Sequence, residues 1–106
     1  MYREFVYLSE FDKAWDALGL TDEDQRELEL RLLTDPKAGT VIPHTGGARK
    51  LRIEHGEHGR RGGARVIYVD LVIGECIYLL SCYPKNKTAN LTEKQKKAIS
   101  SLIKTL

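Results

Sequence analysis

Long hydrophobic runs are missing from this chain: no apolar stretch approaches the roughly 20 residues that a membrane-spanning helix needs, so no membrane association is expected. The N-terminus, MYREFVYLSE, is charged from its third residue and holds no signal-peptide core, which leads to the expectation of a cytoplasmic protein. Cysteine is scarce, with Cys76 and Cys82 both inside ECIYLLSCY. If that run is one strand, six steps of about 3.3 Å set them roughly 20 Å apart, beyond the Cα separation of about 7 Å that a disulfide allows. Two free, buried thiols are therefore expected. Without a secretory signal, the sequons at Asn86 and Asn90 carry no meaning. No Gly-Lys-Ser or Gly-Lys-Thr occurs, which excludes a nucleotide P-loop. No Ser or Cys stands in an obvious arrangement with His and an acid, so covalent hydrolysis is a poor fit.

What is present describes one small folded unit. A chain of 106 residues, 42% hydrophobic and 30% charged, is long enough for a single modest core, so residues 1–106 are read as one domain. The net charge of +2 hides a division. Residues 1–38 carry five basic and ten acidic side chains, net −5, whereas residues 39–106 carry twelve basic and five acidic, net +7. The acidic front reads as solvated surface. A basic face made by the second half would attract a polyanion such as nucleic acid.

The pattern along the chain is α+β. REFVYL (3–8) reads as a short strand. Ser9 is placed as N-cap of a helix over about 10–18, in which Phe11, Trp15 and Leu18 share one face and which Gly19 ends. Thr21 caps a second helix whose first turn, Asp22, Glu23 and Asp24, meets the positive end of the helix dipole; Asp35-Pro36 stops it. PKAGTVIPHTGG is read as a polar loop. ARKLRIE (48–54) alternates Leu51 and Ile53 with Lys50 and Arg52, a half-buried strand with cations on its other face. ARVIYVDLVI (64–73) reads as a central strand covered on both sides, Gly74 as a turn, and ECIYLLSCY (75–83) as a second inner strand. Thr92 and Gln95 form a capping box for a last helix with Ala98, Ile99, Leu102 and Ile103 as its buried stripe. The expected architecture is a curved, mainly antiparallel four-stranded sheet with N-terminal helices and a C-terminal helix.

The tetrapeptide Gly-Gly-Ala-Arg occurs twice, at 46–49 and 62–65, each time introducing a strand. Between the copies, His55, Glu57 and His58 suggest a metal loop, but Gly56 and Gly59 argue against the helical scaffold that such spacing requires. A solvated loop is the better explanation, and neither metal nor cofactor is expected. What remains is a set of cations from separate elements: Lys50 and Arg52, Arg65, and Lys85 with Lys87. Arg60, Arg61 and Lys87 have a plain reading as solvated loop charges. Arg65 does not, because it opens an otherwise apolar strand where an unpaired charge is costly. Either a carboxylate neutralises it or it faces a concave surface meant for an anion. Such a set suits RNA cleavage without metal, in which the ribose 2′-OH attacks the adjacent phosphorus. That reaction needs a proton acceptor, cations to hold the phosphorane and a donor for the leaving oxygen. Tyr83 or Tyr68 would stack on a base, unless either is core.

The run GGARKLRIEHGEHGRRGGARVIYV (46–69), followed by IYLLSCYPKNKTANLTEKQKKAI (77–99), closely resembles the RelE/HigB family of bacterial type II toxins. The likeness covers residues 39–106 in motif and the whole chain in element order, with the HigB branch the nearest in pattern. The resemblance implies a mixed microbial ribonuclease-like fold and a ribosome-dependent endoribonuclease, an mRNA interferase that cuts messenger RNA in the decoding site. It also implies a cognate antitoxin as partner. Family site positions match at Lys50, Arg52, Arg65 and Lys85, with Arg49, Arg60 and Arg61 toward ribosomal RNA and Tyr83 and Lys87 among the RNA-binding residues. The sequence departs from the family just after the final strand. Some relatives place an Arg there, or a His flanked by acidic and Tyr residues; here the residues are Pro84-Lys85-Asn86, which leaves Lys85 as candidate acid. ParE-type toxins, which share the fold and inhibit DNA gyrase by binding without cleavage, are the rival reading.

Overall fold

The structure, a computed structural model, describes residues 2–54, 63–84 and 91–106. Its elements run β1 (Glu4–Tyr7), α1 (Ser9–Ala17), α2 (Asp22–Thr34), β2 (Thr40–Val41), β3 (Arg49–Ile53), β4 (Ala64–Leu71), β5 (Cys76–Pro84) and α3 (Glu93–Lys104). All but the last residue of the loop read at HGEHGRRGG, with His55, Glu57 and His58, lies in segment 55–62, outside the described residues, and most of YPKNKTAN lies likewise in 85–90.

The sheet has five strands in the order β1-β5-β4-β3-β2, not four. Two features account for the difference. β1 adds itself to the far side of β5 in parallel, Glu4 opposite Cys76 through Tyr7 opposite Leu79. β2 is a two-residue bridge, Thr40 opposite Lys50 and Val41 opposite Arg49, inside what reads in sequence as a polar loop. The other pairings are antiparallel, as expected for short connections.

Helix ends follow local chemistry in two cases of three. The Thr21 hydroxyl accepts from Asp24 N while Asp24 accepts from Thr21 N, and Thr92 and Gln95 make the same reciprocal pair at α3. Ser9 is not a cap: it is the first helical residue of α1, behind Leu8, and no side chain caps that end. Here the strand runs directly into the helix, and backbone bonds tie the junction, Leu8 N to Leu79 O and Asp12 N to Leu8 O. Gly19, at φ 74°, takes the left-handed conformation that ends α1.

The sheet has two different faces. On the first, α1 and α2 bury Phe11, Trp15, Leu28 and Leu32 against Leu51, Val66, Tyr68, Ile77 and Leu79. On the second, Ala48, Ile67, Val69 and Leu80 meet Ile99 and Ile103 of α3. This second cover is partial. No residue of α3 is fully buried, and Ala98 and Leu102 are exposed, so the expected buried stripe is only half covered. β4 stops at Leu71, and Val72 and Ile73 stand exposed in the turn to β5. The left-handed residue of that turn is Glu75, at φ 55°, next to Gly74.

Two details of packing position the functional surface. Ile67 pairs with Ser81 but Tyr68 pairs with Leu79, so Leu80 is an extra residue, a β-bulge in β5. Beyond it the alternation inverts: Cys82 joins the first core with Ile77 and Leu79, while Tyr83 turns to the second face with Leu80. The first Gly-Gly closes the turn into β3. Gly46 and Gly47 sit at φ 81° and 115°, and the buried Thr45 hydroxyl donates to Ile42 O and accepts from Ala48 N.

Candidate nucleic-acid interface

Register decides which cations meet. In β3, Leu51 and Ile53 enter the first core, so Lys50 and Arg52 point to the second face. In β4, Ala64, Val66 and Tyr68 enter the first core, which turns Arg65 to the second face with Ile67 and Val69. Arg52 lies directly opposite Arg65, and Arg65 directly opposite Tyr83. A row Arg52–Arg65–Tyr83 therefore crosses three strands, with Lys50 two residues along β3 on the same side.

This row is electrostatically unusual. Like charges directly opposite on one sheet face repel, and no acidic side chain among the described residues forms a salt bridge with Arg52 or Arg65. Arg65 is half-buried, and its Nε is fully shielded from solvent without a hydrogen-bond partner among the described residues. A planar cation held in this way, with another beside it, is prepared for an anion that supplies the missing acceptors. Burial pushes the Tyr83 hydroxyl pKa above its ordinary value, while the charge of Arg65 pulls it back down, which places the ring within the field of the guanidinium.

Two positions of the sequence reading, Arg49 and Tyr68, fall elsewhere. Arg49 has the parity of Leu51 and faces the first side, opposite Tyr68. Its guanidinium donates to Gly39 O at 2.8 Å and Lys37 O at 3.5 Å, so it braces the loop before β2 rather than joining the basic row. Tyr68 is core: its hydroxyl donates to Pro36 O at 2.7 Å and accepts from Gly39 N at 2.9 Å. Of the two thiols expected to be buried, Cys82 is buried and its thiol is pushed up to about 12 by burial, whereas Cys76, at the start of β5 beside the Gly74 turn, is half-exposed; both are free. Lys85, Arg60, Arg61 and Lys87 lie outside the described residues.

Lys96 was not singled out from sequence, yet it faces Lys50 and Tyr83 across a groove of about 250 Å³. A signal was available. The capping box at Thr92 sets the helical phase, and Lys96 shares a face with Ile99 and Ile103, which pack on the sheet.

No family model matches the chain. Among solved structures it is similar to a double Arg-to-Ala mutant of E. coli toxin RelE in the free state, with a TM-score of 0.58 at 14% identity over 100% of both chains. The chain has the RelE fold. The isolated E. coli RelE toxin (TM-score 0.54, 16% identity, 96% of this chain and 99% of that one) is similar as well. So is a chain of the intact E. coli RelBE toxin–antitoxin complex, with a TM-score of 0.56 and 15% identity over 82% of this chain and 100% of that one. On the RelE fold as this chain builds it, the cationic row occupies the sheet face that α3 leaves half open.

Proposed function

We propose that this protein is the toxin of a type II toxin–antitoxin pair, a ribosome-dependent endoribonuclease that cleaves messenger RNA in the decoding site without a metal ion. The observation that carries the reading is Arg65: a shielded, unpartnered Nε beside the like charge of Arg52, on a strand otherwise built from core residues. The RelE fold supports it. In the reaction, the 2′-oxygen bonds to the adjacent phosphorus as its proton passes to a base, and the bond to the 5′-oxygen breaks as that oxygen takes a proton from an acid. The products are a 2′,3′-cyclic phosphate and a 5′-OH end. Lys50 or Arg52 lies nearest the 2′-OH, Arg65 holds the charge of the phosphorane, and Lys85 serves the leaving oxygen. Tyr83 offers a stacking surface for a base. The partner is a cognate antitoxin, as RelE has in the RelBE complex, and the site of action is the cytoplasm.

The test is a translating extract. Added protein is expected to yield cut message with 5′-OH ends, and Arg65→Ala to abolish the cuts while antitoxin binding persists. Intact message with altered DNA supercoiling would instead mark a gyrase inhibitor. A fully toxic Arg65→Ala variant would refute the site.

A further inference from the structure

The groove that Lys96 closes is not needed to hold one scissile phosphate, and its lining says what it takes. The segment Thr40–Pro43 lines it together with Leu91, Tyr83, Lys50 and Lys96. Two lysines from different elements thus line one groove, and among the described residues no carboxylate does. Lys96 is mostly covered, its side chain 17% exposed, and its one ion pair among the described residues is a loose 3.6 Å contact to Glu93, which is itself 79% exposed. Exposed pairs of this kind contribute little, so the cation remains available to an anion in the groove.

Position then identifies the anion. Lys50 stands two residues from Arg52 on one strand face, roughly 7 Å along it, about the step between neighbouring phosphates of one nucleic-acid strand. Tyr83 borders both places: it lies opposite Arg65 and it lines the groove. We infer that the groove is a second phosphate subsite, in which Lys50 and Lys96 hold the phosphate next to the one at Arg52 and Arg65, with the intervening nucleoside against Tyr83. This deepens the ribonuclease reading and rests on it for the identity of the chain that threads both sites. It makes Lys96 a substrate-binding residue and sets the minimal recognised unit at a nucleotide carrying phosphate on both sides.

The experiment titrates the whole protein with adenosine 3′,5′-bisphosphate, 5′-AMP and inorganic phosphate, followed by calorimetry or amide NMR. Wild type is expected to bind the bisphosphate about tenfold more tightly than AMP, the scale of an added charge-assisted contact. Lys96→Met, which keeps the apolar stem, is expected to bring the bisphosphate down to the AMP level, with AMP binding and melting temperature unchanged; Lys96→Arg restores the gain. On single-stranded RNA, Lys96→Met lowers the log–log salt slope by about 0.7, one phosphate's share. Equal binding of bisphosphate and AMP by wild type, absence of binding by either, or a gain that survives Lys96→Met overturns the subsite. A bisphosphate gain in a protein that cuts no message leaves the subsite standing and removes the ribonuclease reading instead.

Discussion

Replacing Arg65 by Met is expected to make the free protein more stable while removing its activity. Directly opposed side chains on one face have Cβ atoms about 5 Å apart. With charge centres about 6 Å apart, the Arg52–Arg65 repulsion is roughly 0.7 kcal/mol at the dielectric of water and about 2.8 kcal/mol at an effective value of 20. The shielded Nε adds a desolvation cost of about 1–3 kcal/mol that no protein acceptor offsets. Met keeps most of the aliphatic contact with the neighbouring second-face residues and removes both costs, so after losses in packing a net gain of about 1 kcal/mol is expected, or about 4–8 °C in Tm for a domain of this size. Urea and thermal unfolding followed by circular dichroism measure it. The gain is expected to shrink at high salt, which screens the repulsion, and inorganic phosphate is expected to raise the Tm of wild type but not of the variant. In a cycle with Arg52→Met, the second substitution is expected to stabilise less than the first, because the opposing charge is already gone. A loss of about 1 kcal/mol or more in Arg65→Met would mean that the guanidinium is a structural strut, and the reasoning for an anion site would collapse.

Other consequences follow from the core and its titrating groups. Tyr68→Phe removes the hydroxyl that bridges Pro36 O and Gly39 N and is expected to cost about 1–3 kcal/mol in urea unfolding. Gly39→Ala is expected to destabilise and to shift the amide resonances of β3, because an added Cβ would stand 2.7 Å from Lys50 O and 2.9 Å from the Tyr68 ring. In native protein a thiol reagent is expected to label Cys76 alone, since burial holds the Cys82 thiol protonated up to about 12; equal labelling of both before unfolding would contradict the core. Tyr68 and Tyr83 have hydroxyl pKa values raised by burial, so the folded state keeps protons that the unfolded chain releases first. Their stabilising contribution is complete below the ordinary tyrosine range and declines as pH climbs through it, and Arg65→Met is expected to push Tyr83 higher still, read by ultraviolet titration.

Much of this molecule was legible in its sequence where a local rule had no competitor. Thr21 and Thr92 start their helices as their side chains dictate, and the alternation in KLRI delivers Lys50 and Arg52 to one face. Where two local rules competed, tertiary structure chose. Ser9 has a capping side chain, but the backbone leaves β1 already bonded to β5 and needs no cap. Thr40 and Val41 pair with β3 directly after Gly39, which Tyr68 and Arg49 hold by hydrogen bonds, long-range contacts that composition does not express. The parallel docking of β1 is equally non-local. Arg49 follows the same logic: as sequence it is one more cation in a basic run, and only the pleat turns it away from its neighbours. Lys96 was hidden because a lysine in the first turns of an amphipathic helix resembles any solvated charge.

The bulge at Leu80 gives β5 two reading frames. Ahead of it, odd-numbered residues serve the helices; after it, even-numbered ones do, and so Tyr83 looks toward the cations while Cys82 does not. Excising that single leucine would leave Cys82 with the core and Tyr83 with the cations, because only the extra residue would go; running the strand straight through it without a bulge would instead send the phenol ring into the hydrocarbon interior and lift a thiol into its place. A comparison with relatives that pairs residues 76–84 by strict alternation would make the same exchange on paper, so the insertion has to be found first and the neighbouring aromatic matched afterwards.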